Sequence, residues 1–297
     1  MDAAGTAVSD RRAGQVREAR RLGRRRRGLR LAAVAADRAA LGLEVLVTGG
    51  TGELGRAVVD ALRSAGHTPR PMSRRPGRGQ VVADLATGSG IAPAVRDCDA
   101  VVHAASDPQG DPQTVDVDGT ARLVRACREA GVTHLLYVSI VGVDRNPLAY
   151  YQAKLAAERV VARSGLPYSI LRSSQFHSLI GMIAREFRRG PVCLAPTGMA
   201  AEPVAVEDVA AAIVRRLEAG PSGAIEEYAG PERLSARRCA RLWLGARHHH
   251  ALVVPVVIPG RVARAFRCKS NLAALDAERG TVTFADWLSQ HPGDRSR

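Results

Sequence analysis

From Leu43 onward the chain alternates short apolar runs with longer stretches whose apolar residues recur at helical spacing. The β-branched and aliphatic run Val45–Val47 predicts a buried strand. After the glycines that follow it, a helix is predicted by the spacing of Leu54, Val58, Ala61, Leu62 and Ala65. Gly66 is a plausible stop for this helix. The first unit of the fold is therefore predicted as a strand, a glycine turn and a helix.

The same alternation continues to about residue 230. Further strands are predicted at His67–Met72, Gln80–Ala83, Ala100–His103, His134–Ser139 and Tyr168–Leu171. Helices are predicted over Thr114–Ala130 and Leu148–Ser164. Apolar strands that alternate with helices are typical of a parallel sheet covered on both faces. The predicted fold class is α/β, a Rossmann-type doubly wound parallel sheet.

The pattern becomes less regular after residue 230. Ser235–Leu244 is predicted as a basic helix, Leu252–Ile258 is an apolar run, and a closing helix is predicted from Phe284. These segments predict a small, mostly helical C-terminal cap. The chain is thus divided into a basic extension over residues 1–42, a Rossmann domain over 43–230 and a substrate or cap region over 231–297.

The formal net charge of +14 is unevenly distributed along the chain. Residues 1–40 hold eleven arginines and four acidic residues, so they contribute +7, half of the total. Because residues 1–30 have almost no large apolar side chains, the extension is predicted to be disordered or loosely helical. It is interpreted as a solvated tail, as an arm that binds nucleic acid, or as sequence upstream of a true translation start at Leu43.

Several other protein classes do not fit the sequence. The apolar run Leu31–Ala36 is cut short by Asp37 and Arg38, which excludes a secretion signal, and no stretch reaches the roughly 18 apolar residues of a membrane span. The five cysteines are scattered and never spaced as Cys-x-x-Cys, so neither disulfides nor a zinc site is predicted. His248–His250 are interpreted as a solvated loop rather than a metal site. A cytoplasmic protein without a metal is expected.

A glycine-rich stretch follows the first predicted strand and opens the first predicted helix. Residues 45–55 read VLVTGGTGELG, in which Gly50-x-Gly52-x-x-Gly55 matches the dinucleotide fingerprint. Glycines in such a loop permit a tight turn, let backbone amides approach a diphosphate and let the helix pack closely, while the positive end of the helix points at the phosphates. Cofactor contacts are therefore expected from Gly49, Gly50, Thr51, Gly52, Glu53, Leu54 and Gly55.

The end of the second predicted strand bears on which dinucleotide is bound. NAD-dependent enzymes usually place an acidic residue there, about 20 residues after the glycines. This chain has Ser73, Arg74 and Arg75 instead, with no acidic residue between Asp60 and Asp84. Because guanidinium groups capture phosphate through paired hydrogen bonds, the pattern favours NADP(H) over NAD(H). The alternative interpretation of Arg74 and Arg75 is an ordinary solvated loop.

Six segments, in order along the chain, resemble one known family. They read VTGGTGELG, VVADL, VVHAAS, LLYVSIVGV, YYQAKLAAE and YSILRSSQF. Together they resemble the atypical short-chain dehydrogenase/reductases of the NmrA-like, NAD(P)H-binding kind, over about Leu43–Glu232. The resemblance implies that Asp84 and Leu85 border the adenine of the cofactor. It also implies that the segment Glu202–Ala210 passes near the nicotinamide.

The same resemblance implies a role for the segment after the fourth predicted strand. In the family this segment lies along the cofactor ribose, and here it consists of Ala104, Ala105 and Ser106.

Tyr150 and Lys154 form a Tyr-x-x-x-Lys pair, and their spacing puts both on one face of the predicted helix. In active members of the family the lysine binds the nicotinamide ribose and lowers the tyrosine pKa, and the tyrosine exchanges a proton with the substrate while the cofactor carries hydride. Ser139 is the implied third member, a hydrogen-bond donor to the substrate carbonyl. Tyr151 leaves the register open, and Val141–Ala149 is shorter than the family's usual connection. The alternative role for Tyr150 is packing against the sheet.

Phe176 and His177 follow the sixth predicted strand, where parallel sheets place their ligands. They are predicted to line a substrate pocket, and a simple contact at a helix N-terminus is the other interpretation. The predicted function is an NADP(H)-dependent oxidoreductase for a small carbonyl or enone-like substrate. Two alternatives are a non-catalytic NADP(H) sensor that regulates a protein partner and a sugar-nucleotide epimerase. Beyond a small-molecule substrate, nucleic acid is expected only at the basic arm, and no membrane partner is expected.

Overall fold

Eight parallel strands form the central sheet of the protein, for which a computed structural model describes residues 42–292. Numbered along the chain, the described strands are β1 (Glu44–Thr48), β2 (Thr68–Ser73), β3 (Val81–Val82), β4 (Ala100–His103), β5 (His134–Ile140), β6 (Tyr168–Ser173), β7 (Arg188–Arg189), β8 (Val192–Pro196), β9 (Ala200–Ala201), β10 (Ile225–Ala229), β11 (Leu234–Ser235), β12 (Leu252–Val256) and β13 (Glu278–Arg279). The central sheet has the order β13-β10-β6-β5-β4-β1-β2-β3. The strand order therefore reverses between β1 and β4, and ligands of such sheets bind at the carboxyl ends of the strands beside this point.

Helices connect the strands and cover both faces of the sheet. They are α1 (Glu53–Ser64), α2 (Ile91–Val95), α3 (Gly119–Ala130), α4 (Ala149–Ala162), α5 (His177–Glu186), α6 (Val206–Ala219), α7 (Ala236–Ala246), α8 (Arg261–Arg267) and α9 (Phe284–Gln290). A π-helix, Gln113–Asp118, runs directly into α3. Helix α1 packs against α6, and α3 packs against α2 and α4. The predicted Rossmann-type doubly wound sheet is confirmed.

The core lies under the central strands, where apolar runs are buried on both faces. Val45–Val47 of β1 and Leu135–Tyr137 of β5 are fully buried. Burying a side chain of this size contributes roughly 1.5–3 kcal/mol to the free energy of folding. Because both faces of a parallel sheet are covered, these short strands have no polar face. The same burial fixes the strand ends, and with them the loops at the carboxyl edge, in one place.

The C-terminal region contains a strand as well as the predicted helices. Within the apolar run Leu252–Ile258, Leu252–Val256 forms β12, which pairs in parallel with β8 in a three-stranded sheet. The β-branched valines of this run suit a strand, and β8 supplies the partner that the local pattern could not reveal. Helices α7, α8 and α9 do lie in this region, while β13 extends the central sheet from beyond residue 230.

Of the described residues, those from 44 to 292 belong to one compact unit, and the proposed division near residue 230 stays a prediction. Residues 1–41 of the predicted basic extension lie outside the described residues. Within residues 42–292, no helix combines the length and the apolar character that crossing a membrane requires.

Candidate functional site

The glycine loop between β1 and α1 is built so tightly that side chains would not fit. Gly49 has a φ of +67°, and the Gly52 amide donates to the Gly49 carbonyl oxygen over 2.8 Å. A Cβ placed on Gly55 would lie 2.0 Å from that same oxygen, and one on Gly50 would lie 2.7 Å from the Pro71 Cβ. The loop therefore presents bare backbone at the carboxyl edge of the sheet.

The N-terminus of α1 opens directly from this loop. Its N-cap is Gly52, and no side chain among the described residues caps the helix. The Glu53 carboxylate accepts a hydrogen bond from Ser178 Oγ at 2.7 Å, which ties it to the start of α5. The positive end of the helix dipole and the uncapped amides together suit an anion. The loop residues thus fit the diphosphate of a dinucleotide.

The end of β2 lies next to the same loop. The Gly50 amide donates to the Met72 carbonyl oxygen over 3.1 Å, which joins the loop to this strand. Arg74 and Arg75 follow in an exposed turn, where the Arg75 amide donates to Ser73 Oγ at 3.2 Å. The structure therefore brings both guanidinium-bearing residues to the edge at which the glycine loop opens.

The structure gives Asp84 and Leu85 mainly local roles. Asp84 Oδ1 accepts from the Ala86 amide at 2.9 Å, which orders the turn after β3. Leu85 is buried in the core, where a Cβ on Gly119 would lie 2.9 Å from the Leu85 Cβ. Their predicted contact with adenine stays a prediction.

The segment after β4 connects the glycine loop with the predicted catalytic helix. The Ala105 amide donates to Thr48 Oγ1 at 3.1 Å, and a Cβ on Gly49 would lie 2.9 Å from the Ala105 Cα. The next residue, Ser106, forms a 2.7 Å hydrogen bond with the Tyr150 hydroxyl. The Ala104–Ser106 segment thus contacts the loop at one end and the tyrosine at the other.

Tyr150 and three further side chains, from three elements in all, meet in one cluster. Ser106 Oγ donates to Asp116 Oδ1 at 2.6 Å, and the Lys154 ammonium nitrogen lies 3.7 Å from the same oxygen. Lys154 also donates to the Val138 carbonyl oxygen at 2.7 Å. Asp116 belongs to the π-helix, whereas Tyr150 and Lys154 lie one turn apart on α4. We call Ser106, Asp116, Tyr150 and Lys154 the tyrosine cluster.

Burial shifts the pKa values of this cluster in opposite directions. Loss of solvent raises the pKa of Tyr150 to about 12, and the nearby charge of Asp116 acts in the same direction. Burial lowers the pKa of Lys154 to about 8, although Asp116 and Glu158 favour its charged form. A neutral phenol is therefore the resting form of Tyr150, opposite in direction to the lowered tyrosine pKa that the family resemblance implied. Burial is the largest cause of the raised value, and the Lys154 ammonium nitrogen is held by Val138 and Asp116.

Ser139 lies at the end of β5 and is buried. Its hydroxyl oxygen has no hydrogen-bond partner among the described residues. A buried hydroxyl without a partner costs free energy that a bound carbonyl oxygen would restore. Its position therefore suits the predicted donor role, although it does not bond to Tyr150.

Tyr151 and Phe176 have surroundings outside the tyrosine cluster. Tyr151 is buried with its ring edge-on to Phe266, at a centroid distance of 6.2 Å. Phe176 is half-buried and pairs with Val204 through a parallel bridge. The structure thus brings Tyr150, rather than Tyr151, to Ser106.

His177 is placed in an aromatic cluster between α5 and α9. It stacks on Phe284 at 5.6 Å and its Nε2 lies 3.1 Å from the Val282 carbonyl oxygen. Burial lowers the pKa of His177 to about 4. These contacts agree with the other interpretation, a contact at the N-terminus of a helix. The predicted role of His177 in a substrate pocket stays a prediction.

The segment predicted to pass near the nicotinamide begins with a buried carboxylate. Glu202 is fully buried and accepts hydrogen bonds from Arg233 Nε at 2.5 Å and Arg279 Nη1 at 3.0 Å. This side chain therefore ties β9 to the C-terminal region. Whether the rest of the segment contacts the cofactor stays a prediction.

Sequence reasoning did not single out Asp116. The segment Thr114–Ala130 was interpreted by its apolar positions, and Asp116 lies on the same helical stripe as Leu123 and Cys127. The one local signal was a carboxylate within an otherwise apolar stripe, because a buried charge requires a partner. The partners that satisfy it are ten and 38 positions away in the sequence, which no local pattern reveals.

No group of three or more His, Cys, Asp or Glu side chains is placed to hold a metal ion in the part of the chain that the structure describes. Of the three adjacent histidines, His248 and His250 are exposed, whereas His249 lies 5.4 Å from the Trp243 ring.

The family assignment follows from comparison of the sequence with known families. The sequence profile described as NAD(P)H-binding matches residues 49–219, which include the glycine loop and the whole tyrosine cluster. The chain belongs to this NAD(P)H-binding family. Curated proteins that the chain resembles include reductases and an uncharacterised sugar epimerase.

Two curated relatives and one solved structure illustrate the range of this family. The chain is 32% identical over 219 residues to a chloroplastic divinyl chlorophyllide a 8-vinyl-reductase of Oryza sativa, with 63% of this chain and 54% of the rice protein aligned. It is 33% identical over 207 residues to a (4-alkanoyl-5-oxo-2,5-dihydrofuran-3-yl)methyl phosphate reductase of Streptomyces griseus, with 65% and 70% aligned. The chain spans about half the length of some curated relatives it matches.

The fold is shared with an NADPH-dependent quinone oxidoreductase from Escherichia coli, solved as a complex with NADPH. The TM-score is 0.71 at 19% identity, over 83% of this chain and 99% of the other. At this identity the likeness shows the fold alone.

Proposed function

We propose that the protein is an NADP(H)-dependent oxidoreductase that acts on a small, largely apolar carbonyl or enone-like substrate. One observation carries the proposal: the Ala104–Ser106 segment touches the glycine loop at Ala105 and hydrogen-bonds Tyr150 at Ser106. A dinucleotide seated on the loop and a proton donor would therefore share one edge of the sheet. The named reductases among the relatives agree with this chemistry.

The preference for NADP(H) rests on the end of β2. NADP(H) differs from NAD(H) by one phosphate on the adenosine ribose, which lies beyond the second strand in this fold. Arg74 and Arg75 are exposed there, beside a loop that is joined to β2 through Gly50. Guanidinium groups at this position would form charge-assisted hydrogen bonds with that phosphate.

The apolar character of the substrate is inferred from helix α5. Leu179, Met182 and Ile183 are exposed by 39%, 42% and 39%, and their spacing puts them on one side of the helix. Ser178, one turn before Met182, contacts Glu53 at the start of α1. This apolar side of α5 therefore borders the opening of the glycine loop, where a substrate would meet the cofactor.

The residues then divide the chemistry between them. Bound NADPH would supply hydride to the substrate. Tyr150, kept neutral by its raised pKa, would donate the proton to the substrate oxygen, and the Ser139 hydroxyl would hold that oxygen by a hydrogen bond. Lys154 would support the cluster by its charge and contact the nicotinamide ribose.

The non-catalytic NADP(H) sensor remains the second candidate, and one observation favours it. The Lys154 ammonium is engaged by the Val138 carbonyl and by Asp116, rather than by the Tyr150 hydroxyl. A site with this arrangement could hold the cofactor and report its redox state to a protein partner without turnover.

Turnover of NADPH with a panel of aldehydes, ketones, enones and quinones separates the two candidates. Tyr150→Phe is expected to reduce the rate at least about 100-fold, because it removes the proton donor. Tyr151→Phe, which changes a neighbouring buried phenol in the same helix, is the matched control and should keep most of the activity. Tight NADPH binding without turnover of any panel member, together with a co-purifying protein, would instead support the sensor.

A further inference from the structure

When the Asp116 carboxylate is the acceptor, the hydroxyl hydrogens of the tyrosine cluster point in one direction. A serine hydroxyl carries one hydrogen, and Ser106 donates it to the Asp116 carboxylate at 2.6 Å. Since Ser106 has no second hydrogen, the 2.7 Å bond between Ser106 and Tyr150 must be donated by Tyr150. The chain of donors therefore runs from Tyr150 through Ser106 to Asp116.

Asp116 has the surroundings of a proton acceptor that is held in place. It is 1% exposed, and its second oxygen accepts from the Asp107 amide at 3.1 Å. The Lys154 ammonium lies on its other side at 3.7 Å and is itself fixed by Val138 and by the Tyr137 ring, 4.3 Å away. A buried carboxylate without such partners would be too costly to keep.

The elements packed around the relay contribute further titratable groups. Helix α4 contributes Lys154, Tyr150 and Glu158, strand β5 contributes Tyr137, strand β4 contributes His103, and the loop after β4 contributes Asp107. Burial lowers the pKa of His103 to about 3, so this histidine is neutral near pH 7. Lys154 is thus the cation beside Asp116 among these groups.

We propose that Ser106 and Asp116 form a proton relay behind Tyr150, so that the proton exchanged with the substrate travels between Tyr150 and the Asp116 carboxyl group. The proposal rests on the proposed oxidoreductase function. It assigns Ser106, predicted only as a ribose contact, and Asp116, which the sequence did not indicate, to proton transfer.

The steps balance in both directions. In carbonyl reduction the substrate carbon receives hydride from NADPH, Tyr150 gives its proton to the substrate oxygen, Ser106 gives its proton to Tyr150, and protonated Asp116 gives its proton to Ser106. Asp116 ends as a carboxylate, and after product release a proton from solvent would return along the same chain, from Tyr150 through Ser106 to Asp116. In alcohol oxidation each transfer reverses, with NADP⁺ accepting the hydride.

The effect of the Asp116 carboxylate on Tyr150 can be tested without turnover. The protein labelled with ¹³C at the tyrosine ζ carbons is titrated, and Tyr150→Phe assigns the Tyr150 signal. Asp116→Asn should lower the pKa of Tyr150 by about one unit or more, because a negative charge beside the phenolate is removed. Asp118→Asn, on the same π-helix, is the matched control and should leave it unchanged.

A second signal reports on the same carboxylate. The whole sequence contains only two lysines, Lys154 and Lys269, so ¹³C labelling at the lysine ε carbons gives two signals. Asp116→Asn should lower the pKa of Lys154 and leave that of Lys269 unchanged. An unchanged Tyr150 pKa in Asp116→Asn would overturn the relay whether or not the protein turns over NADPH.

Kinetics then test the transfer itself. The rate of reduction of an accepted panel substrate is measured at increasing fractions of D₂O. A plot of rate against D₂O fraction should be curved for the wild type, in which several protons move together, and straight for Ser106→Ala, in which one proton moves. Ser106→Ala should also be slower by roughly 10- to 100-fold. A linear dependence in the wild type, or an unchanged rate in Ser106→Ala, would refute the relay. Failure of the wild type to turn over any panel member would refute the proposed function, while the titrations would still show whether the Asp116 carboxylate acts on Tyr150.

Discussion

Gly55→Ala tests how closely the backbone of the diphosphate loop is packed. A Cβ at this position would lie 2.0 Å from the Gly49 carbonyl oxygen, 2.7 Å from its carbon and 2.8 Å from the Gly50 Cα. All three are backbone atoms, which cannot rotate away as the end of a flexible side chain would. The loop must therefore move relative to α1. Overpacking of this kind costs roughly 1–3 kcal/mol, which corresponds to a fall in melting temperature on the order of 5 °C for a domain of this size.

The same movement should weaken cofactor binding. Loss of one or two hydrogen bonds from loop amides to a charged diphosphate costs about 1.5–3 kcal/mol, or about 10- to 100-fold in Kd. Isothermal titration with NADPH measures the affinity, and scanning calorimetry measures the melting temperature.

Gly245→Ala is the matched control for this substitution. Gly245 lies within α7, and apart from its chain neighbours and the backbone of its own helix no atom of residues 42–292 lies within 4 Å of the position that its Cβ would take. It should stabilise the protein by about 0.5–1 kcal/mol and leave NADPH binding unchanged. Wild-type stability and wild-type NADPH affinity in Gly55→Ala would refute the reasoning about the loop.

Two further predictions concern the cofactor phosphate and the response to acid. The double variant Arg74→Ala/Arg75→Ala should raise the Kd for NADPH at least about 10-fold and leave the Kd for NADH nearly unchanged. Arg78→Ala is the control and should change neither Kd. Equal losses of affinity for both cofactors would contradict the phosphate assignment. Acid should destabilise the fold because burial holds three histidine pKa values well below 6.5, to about 3 for His103 and about 4 for His134 and His177. Their stabilising contribution is complete above about pH 6.5, where the unfolded chain also loses its protons, and it falls by about 1.4 kcal/mol per histidine per pH unit between about pH 6.5 and 4. Urea unfolding at pH 7 and pH 5 measures the loss, and equal free energies of unfolding would contradict it.

The elements with the clearest local signals were predicted well from the sequence. The strand Ala100–His103 has the predicted bounds, and β5 extends the predicted His134–Ser139 by one residue. These runs are apolar because both faces of a parallel sheet are covered, so burial alone defines them. The helix Ala149–Ala162 lies within the predicted Leu148–Ser164, since its ends depend on local spacing.

Other features depend on partners that are distant in the sequence. Leu252–Val256 is a strand because β8, about 60 residues earlier, lies beside it, and a short apolar run does not distinguish a strand from a helix. The helix predicted over Thr114–Ala130 begins as a π-helix, which places Asp116 against Ser106 and Lys154. The glycine loop could be recognised because its function depends on backbone spacing, whereas the tyrosine cluster depends on how three elements meet.

The central claim is that the bare backbone between β1 and α1 holds the diphosphate of NADP(H). A crystal structure of the protein with NADPH tests this most directly. We expect the diphosphate against the amides of Gly50–Gly55, the 2′-phosphate beside Arg74 and Arg75, and the nicotinamide ring on the side of Tyr150. A cofactor bound elsewhere, or a loop filled by the protein's own side chains at saturating NADPH, would contradict the claim.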